Sequence, residues 1–117
     1  MARLPNYEKA LIEPTKIRDY ILSPLHPIGR FKAVLFQGMG YTHENWEQLI
    51  DDIRLYHLPL DAKPIEKSKY GQKYIIGGLI KGPNGKIVIF RSIWIILEGE
   101  DIPRLITIYP EGGRHEI

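Results

Sequence analysis

Three side chains suited to handling phosphate stand close together in His26-Pro27-Ile28-Gly29-Arg30-Phe31-Lys32-Ala33. An imidazole that moves protons near neutral pH is followed by a guanidinium and an ammonium. The segment leads into a predicted helix whose first backbone N–H groups already favour anions, and Arg30 and Lys32 add full positive charge there. Phosphate binding with proton transfer is the chemistry this set suits. The same residues also fit an ordinary turn ahead of a helix.

Arg91 is the sharpest single position. It lies in the middle of Ile87–Leu97, the most apolar strand-like run of the chain, where a charge is costly unless paired or in use. Two readings stand side by side. One is a guanidinium offered to phosphate as a bidentate fork. The other is a structural ion pair with a helix carboxylate, or an edge position from which the side chain reaches water.

Other chemistries are poorly supplied. The chain has no cysteine, which removes disulfides, thiolate nucleophiles and most structural zinc sites. His26, His43, His57 and His115 show no metal-ligand spacing, so neither metal nor cofactor is expected. Ser23, Ser68 and Ser92 lack the glycine context of a nucleophile elbow. Gly38-Met39-Gly40 reads as a helix stop, since no strand precedes it.

The elements that must position these groups form a helical first half and a strand-rich second half. A short helix capped by Thr15 runs to Leu22, and Ser23-Pro24 ends it. A second helix covers residues 30–37, stopped by Gly38. A third is capped by Thr42 and runs from Glu44 to about His57. Its apolar stripe is Trp46, Leu49, Ile50 and Ile53, and Glu44, Glu47, Asp51 and Asp52 face outward. Residues 58–65 read as a connector, and strands follow at 73–81, 86–97 and 102–109. Gly82-Pro83-Asn84-Gly85-Lys86 is a bulged three-residue hairpin pairing Gly82 with Lys86. A second turn pairs Leu97 with Ile102. The fold expected is α+β, two to three N-terminal helices packed on an antiparallel meander of three to four strands.

That register sorts the sheet faces. Tyr74, Ile76, Ile80, Val88, Phe90, Ser92, Trp94, Ile96, Leu105, Thr107 and Tyr109 fall on one face, which is the better candidate to pack under the helices. Lys73, Lys81, Arg91 and Arg104 fall on the other, among seven isoleucines. The charged face is the candidate ligand face, and its isoleucines require some cover.

The 117 residues are one domain by length, with an arm at 1–14, a helical part at 15–58, a meander at 64–110 and a frayed tail at 111–117. Net charge is +2, unevenly spread: +3 over residues 1–40, −4 over 41–62 and +3 over 63–117. Such a division fits a polyanion-binding face backed by an acidic one. No signal peptide or membrane-spanning run is visible, so the location expected is cytoplasmic.

Several segments resemble a bacterial family of unknown function found as small free-standing proteins and as C-terminal domains of polymorphic toxins. They are Leu4-Pro5-Asn6, Lys16-Ile17-Arg18-Asp19-Tyr20-Ile21-Leu22, the segment from His26 to Ala33, Tyr70-Gly71-Gln72-Lys73-Tyr74, Arg91-Ser92-Ile93-Trp94 and Pro103-Arg104-Leu105-Ile106-Thr107-Ile108-Tyr109-Pro110. The layout is similar to the barnase–EndoU–colicin–RelE class of ribonucleases. The resemblance implies RNA cleavage without a metal. His26 would be the general base or acid, and Lys32 and Arg91 would stabilise the phosphate. Arg30 and Arg104 would hold the substrate, and Thr107 would donate a hydrogen bond. The face assignment above sets Thr107 opposite Arg91, at odds with a shared role. Implied partners are RNA and a cognate antitoxin or immunity protein; from the sequence itself no membrane is expected, and the isoleucine-rich face suits a homodimer contact. The reading from a different class is a non-catalytic interaction module: an antitoxin, an immunity protein or an adaptor.

Overall fold

The long β-branched run between two turns folds as the centre of a meander. In this computed structural model, which describes residues 2–22 and 30–111 and not the side chains of Tyr20, Ile21, Arg30 and Phe31, strands β1 (Ala62–Ser68), β2 (Gly71–Lys81), β3 (Ile87–Leu97) and β4 (Arg104–Pro110) form one sheet in the order β1-β2-β3-β4. All neighbours are antiparallel. Three short helices precede them, α1 (Pro14–Lys16), α2 (Arg30–Gln37) and α3 (Trp46–Asp52), with π-helical turns at Ile17–Ile21 and Ile53–His57. The α+β expectation holds.

The β2–β3 hairpin has the expected register. Gly82 N–H donates to the Lys86 carbonyl at 2.9 Å, Lys81 pairs with Ile87, and Gly85 takes a left-handed φ of 90°. The β3–β4 pair also starts as expected, with Ile95 opposite Arg104 and Trp94 opposite Leu105. It then slips by one residue. Ile106 is an unpaired bulge, and beyond it Ile93 pairs with Thr107 and Arg91 with Tyr109. A one-residue slip exchanges the faces of everything that follows. Thr107 and Tyr109 therefore leave the predicted core face and join Arg91, while Ile108 turns inward and is fully buried.

The remaining corrections concern element ends. The predicted connector contains β1, whose side chains beyond Ala62 are exposed and whose Pro64 sits beside a register shift. Both suit an edge strand, where a missing N–H and broken alternation cost little. The first helix starts at Pro14, with proline at the first helical position and Glu13 rather than Thr15 at the cap. Thr42 and Asn45 bond one another, Asn45 N–H donating to Thr42 Oγ1 at 3.3 Å, and α3 begins at Trp46 rather than Glu44. The stop after α2 uses Gly40, at φ 101°, as its left-handed residue rather than Gly38. Asp52 is buried, not outward. The predicted tail lies outside the described residues apart from Glu111.

The core is the inner sheet face against the helices. Ile76, Ile80, Phe90, Trp94 and Ile108 meet Ile17, Phe36, Leu49 and Ile53, all fully buried. Phe36 stacks on Phe90 with ring centroids 4.8 Å apart, a contact that adds to the burial itself. The β2–β3 hairpin also finishes α2. Asn84 Nδ2 donates to the Gly38 carbonyl at 2.9 Å and Asn84 N–H to the Met39 carbonyl at 3.2 Å, satisfying helix-end acceptors. This approach requires Gly82, where a Cβ would lie 2.3 Å from the Met39 carbonyl oxygen. The N-terminal segment touches both outer strands, Arg3 bridging to Asp61 and Leu11 to Arg104.

Candidate functional site

Lys32 follows from its place on α2. Ala33 and Phe36 turn the helix's apolar side to the core, which leaves Lys32 at the margin of that contact. Its Nζ donates to Thr107 Oγ1 at 2.9 Å. Lys16, the last residue of α1, reaches the same strand from another direction, its Nζ donating to the Ile106 carbonyl at 3.0 Å. Two ammonium groups thus meet on the bulge and the residue after it. Burial, reinforced by the charge of Lys16, lowers the pKa of Lys32. Desolvated cations held near one another are what an anion site requires.

The other predicted residues are placed differently. The bulge brings Thr107 onto the face of Arg91 as its diagonal neighbour, but Arg91 leans the other way. Its Nε donates to Glu111 Oε1 at 3.0 Å, a half-exposed pair in which the Glu111 hydrogen bond and charge raise the guanidinium pKa. Arg91 is thus in an ion pair, with a carboxylate of the strand end rather than of a helix. Arg104 bonds Glu100 across the turn at 3.1 Å. Arg30 opens α2, with its side chain outside the described residues, and His26 lies outside them altogether. Lys32 and Thr107 are brought together; Arg91 and Arg104 are directed elsewhere.

A second polar cluster is sealed inside. His57 is fully buried in the turn after α3, with Nε2 2.7 Å from Ser92 Oγ, and Ser92 also accepts from Trp94 Nε1 at 2.7 Å. Burial pushes the His57 pKa down to about 4, against an opposing pull from the backbone of Gly78 and Ile76. Neither backbone group meets hydrogen-bond geometry at Nδ1, which has no partner. Tyr41 and Asp52 form another buried pair, which the exposed Gln48 meets from the surface. The Tyr41 hydroxyl donates to Asp52 at 2.5 Å and Gln48 Nε2 donates at 3.0 Å, and burial together with Asp52 raises the Tyr41 pKa. His57 and Ser92 are closed to a substrate, and Tyr41 and Asp52 are buried behind Gln48, so we read both clusters as structural. Among the described residues no group of three His, Asp or Glu is placed to hold a metal, and no described helix is long and apolar enough to cross a membrane.

Residues 3–112 match a domain of unknown function, DUF6883. The chain belongs to that family. No curated protein matches it. Among solved structures it is similar to a chain from a contact-dependent growth inhibition toxin–immunity protein complex of Klebsiella pneumoniae 342. The TM-score is 0.63 at 17% identity, over 87% of this chain and 100% of that one. At that identity the likeness is one of fold.

Lys16 is the site residue that sequence reasoning missed. Its segment belongs to the family resemblance, but nothing local ties a lysine ending a three-residue helix to a strand ninety positions away.

Proposed function

We propose that this domain is a ribonuclease-like toxin that cleaves RNA phosphodiesters, with Lys32, Thr107 and Lys16 as the phosphate anchor. The convergence of the two lysines on Ile106 and Thr107 carries the reading. The fold shared with a chain of a toxin–immunity complex supports the toxin context. In the reaction, the ribose 2′-oxygen attacks the adjacent phosphorus, a general base takes its proton, and a general acid protonates the departing 5′-oxygen. The products are a 2′,3′-cyclic phosphate and a free 5′-hydroxyl. Lys32 sits where it can offset the charge that grows on the phosphoryl oxygens, and a preorganised cation of this kind is worth about 10²–10³ in rate. His26 takes the proton-transfer role on sequence grounds, six residues ahead of Lys32. Arg30 and Arg104 serve the flanking backbone. Arg91 joins by exchanging Glu111 for phosphate.

The test is digestion of end-labelled RNA in EDTA with wild type, Lys32→Met and His26→Ala, each checked by thermal melting. The expected result is cyclic-phosphate products from wild type and at least about a hundredfold loss in each variant. Full activity in folded Lys32→Met removes the phosphate anchor. Exposed isoleucines on the outer sheet face favour a second reading, a non-catalytic partner of another protein. Induced expression separates the two, because a toxin arrests growth and an immunity protein does not.

A further inference from the structure

Beyond the bulge, the outer face of β4 carries Thr107, then Tyr109, and just past the strand end Glu111. Side chains two residues apart share a face and stand about 7 Å from one another. That is close to the step between successive phosphates of one nucleic-acid strand. Thr107 is the residue that accepts from Lys32. Arg91 lies directly opposite Tyr109, one such step farther along. Its guanidinium is held by Glu111 at 3.0 Å, and Tyr109 adds a smaller pull in the same direction. An oxyanion therefore already rests against Arg91, and the chain itself supplies it. We propose that Arg91 and Tyr109 form a second phosphate subsite, one nucleotide along the strand from the Lys32–Thr107 anchor, which Glu111 fills until RNA displaces it.

The subsite rests on the reading of Lys32 and Thr107 as a phosphate anchor, and three features suit it to exchange. The Arg91–Glu111 pair is half-exposed on both sides, so water weakens it and a competing anion can part it. Glu111 takes only the Nε of the guanidinium. A phosphate that takes two N–H groups of the fork replaces one bond by two. Gly77, opposite Arg91 on β2, keeps the sheet surface clear beneath the pair. A Cβ there would meet nothing closer than Glu111 Oε1 at 3.9 Å. The far side of the same groove holds one carboxylate and one ammonium, Asp61 and Lys63, so neither sign prevails there and Arg91 is the group that meets the ligand. The substrate this arrangement takes is a strand with two consecutive phosphates, laid along β4 from the bulge to the strand end.

The experiment measures binding rather than cleavage. The protein is titrated by NMR with 2′-O-methyl RNA of two and of three nucleotides, which carry one and two phosphates and cannot react through the blocked 2′-oxygen. The second phosphate is expected to tighten binding to wild type about tenfold. It should also steepen the salt dependence by about one contact and shift the Nε–H signal of Arg91. Arg91→Gln should bring the ratio of the two affinities near one, and Tyr109→Phe should reduce it. Glu111→Gln, which removes the competing charge, should bind the three-nucleotide probe a few-fold more tightly than wild type. A ratio near one in wild type, a ratio kept in Arg91→Gln, or no tighter binding by Glu111→Gln overturns the subsite and leaves the anchor standing. Binding of neither probe overturns the anchor and the subsite together. A tenfold ratio in a protein that leaves unmodified RNA intact upholds the subsite and removes the nuclease.

Discussion

Acidification should weaken this fold through one imidazole. His57 is buried and neutral, with Nε2 against Ser92 and Nδ1 without a partner. Protonation would add a buried N–H and a charge. Folded, the ring titrates at about 4 rather than its ordinary 6.5; in the unfolded chain it regains the ordinary value. The folded pKa is the depressed one, so the contribution is fully present above pH 6.5 and is lost as pH falls toward 4, because the unfolded state then binds the extra proton. Integrating that difference, stability falls by about 2 kcal/mol between pH 7 and pH 5, and by about 3 kcal/mol at pH 4. Against a domain stability of about 5–15 kcal/mol this is a large share. Denaturant unfolding at pH 7, 6 and 5 measures it, with His57→Gln as the non-titrating comparison. The variant should be less stable at pH 7 and should lack this slope, while the other histidines and the carboxylates contribute equally to both proteins. Imidazole NMR of the wild type reports the same quantity should the variant not fold. Parallel slopes in the two proteins, or a His57 midpoint near 6.5, would refute the reasoning.

Three further outcomes follow from packing. Gly82→Ala places a methyl against the Met39 carbonyl and should cost about 2 kcal/mol or more in denaturant unfolding. Tyr41→Phe removes one of the two donors to buried Asp52, and should destabilise by about 1–3 kcal/mol at neutral pH. Deleting Ile106 removes the bulge but leaves Leu105 opposite Trp94 and Thr107 opposite Ile93, so Thr107 should stay on the outer face and Ile108 on the inner one, with the Ile106 carbonyl lost to Lys16. A crystal structure of the variant should show Thr107 still beside Lys32, and a Thr107 turned inward would refute the register.

Much of the sheet was legible because its turns are chemically explicit. Pro83, Asn84 and Gly85 admit few hairpins, and the inward set Ile76, Ile80, Phe90 and Trp94 followed from it. The bulge was not legible. Ile106-Thr107-Ile108-Tyr109 alternates equally well in either register, and only the burial of Ile108 over Tyr109 decides between them. β1 was half hidden because an exposed edge strand with a proline shows no alternation. Ser92 was visible as a polar gap in an aromatic face. Its partner His57 was not, since the π-helical turn that aims it inward has no sequence signal of its own. Of the candidate site, Lys32 and Thr107 were named for a shared role and do meet. Arg91 and Arg104 were named with them, and nearby carboxylates claim both.

The hairpin that holds the end of α2 makes the helix a lever. Asn84 grips the carbonyls of Gly38 and Met39, and Lys32 stands six residues away, about 9 Å along the axis. A swing of about 10° at that pivot displaces Lys32 by about 1.5 Å, and under the nuclease reading proposed above an error of this size would cost orders of magnitude in rate. The tip at Asn84 is therefore a remote adjustment for the lysine. Substitutions there, or a ligand that grips the turn, would retune the far end of the helix without touching it.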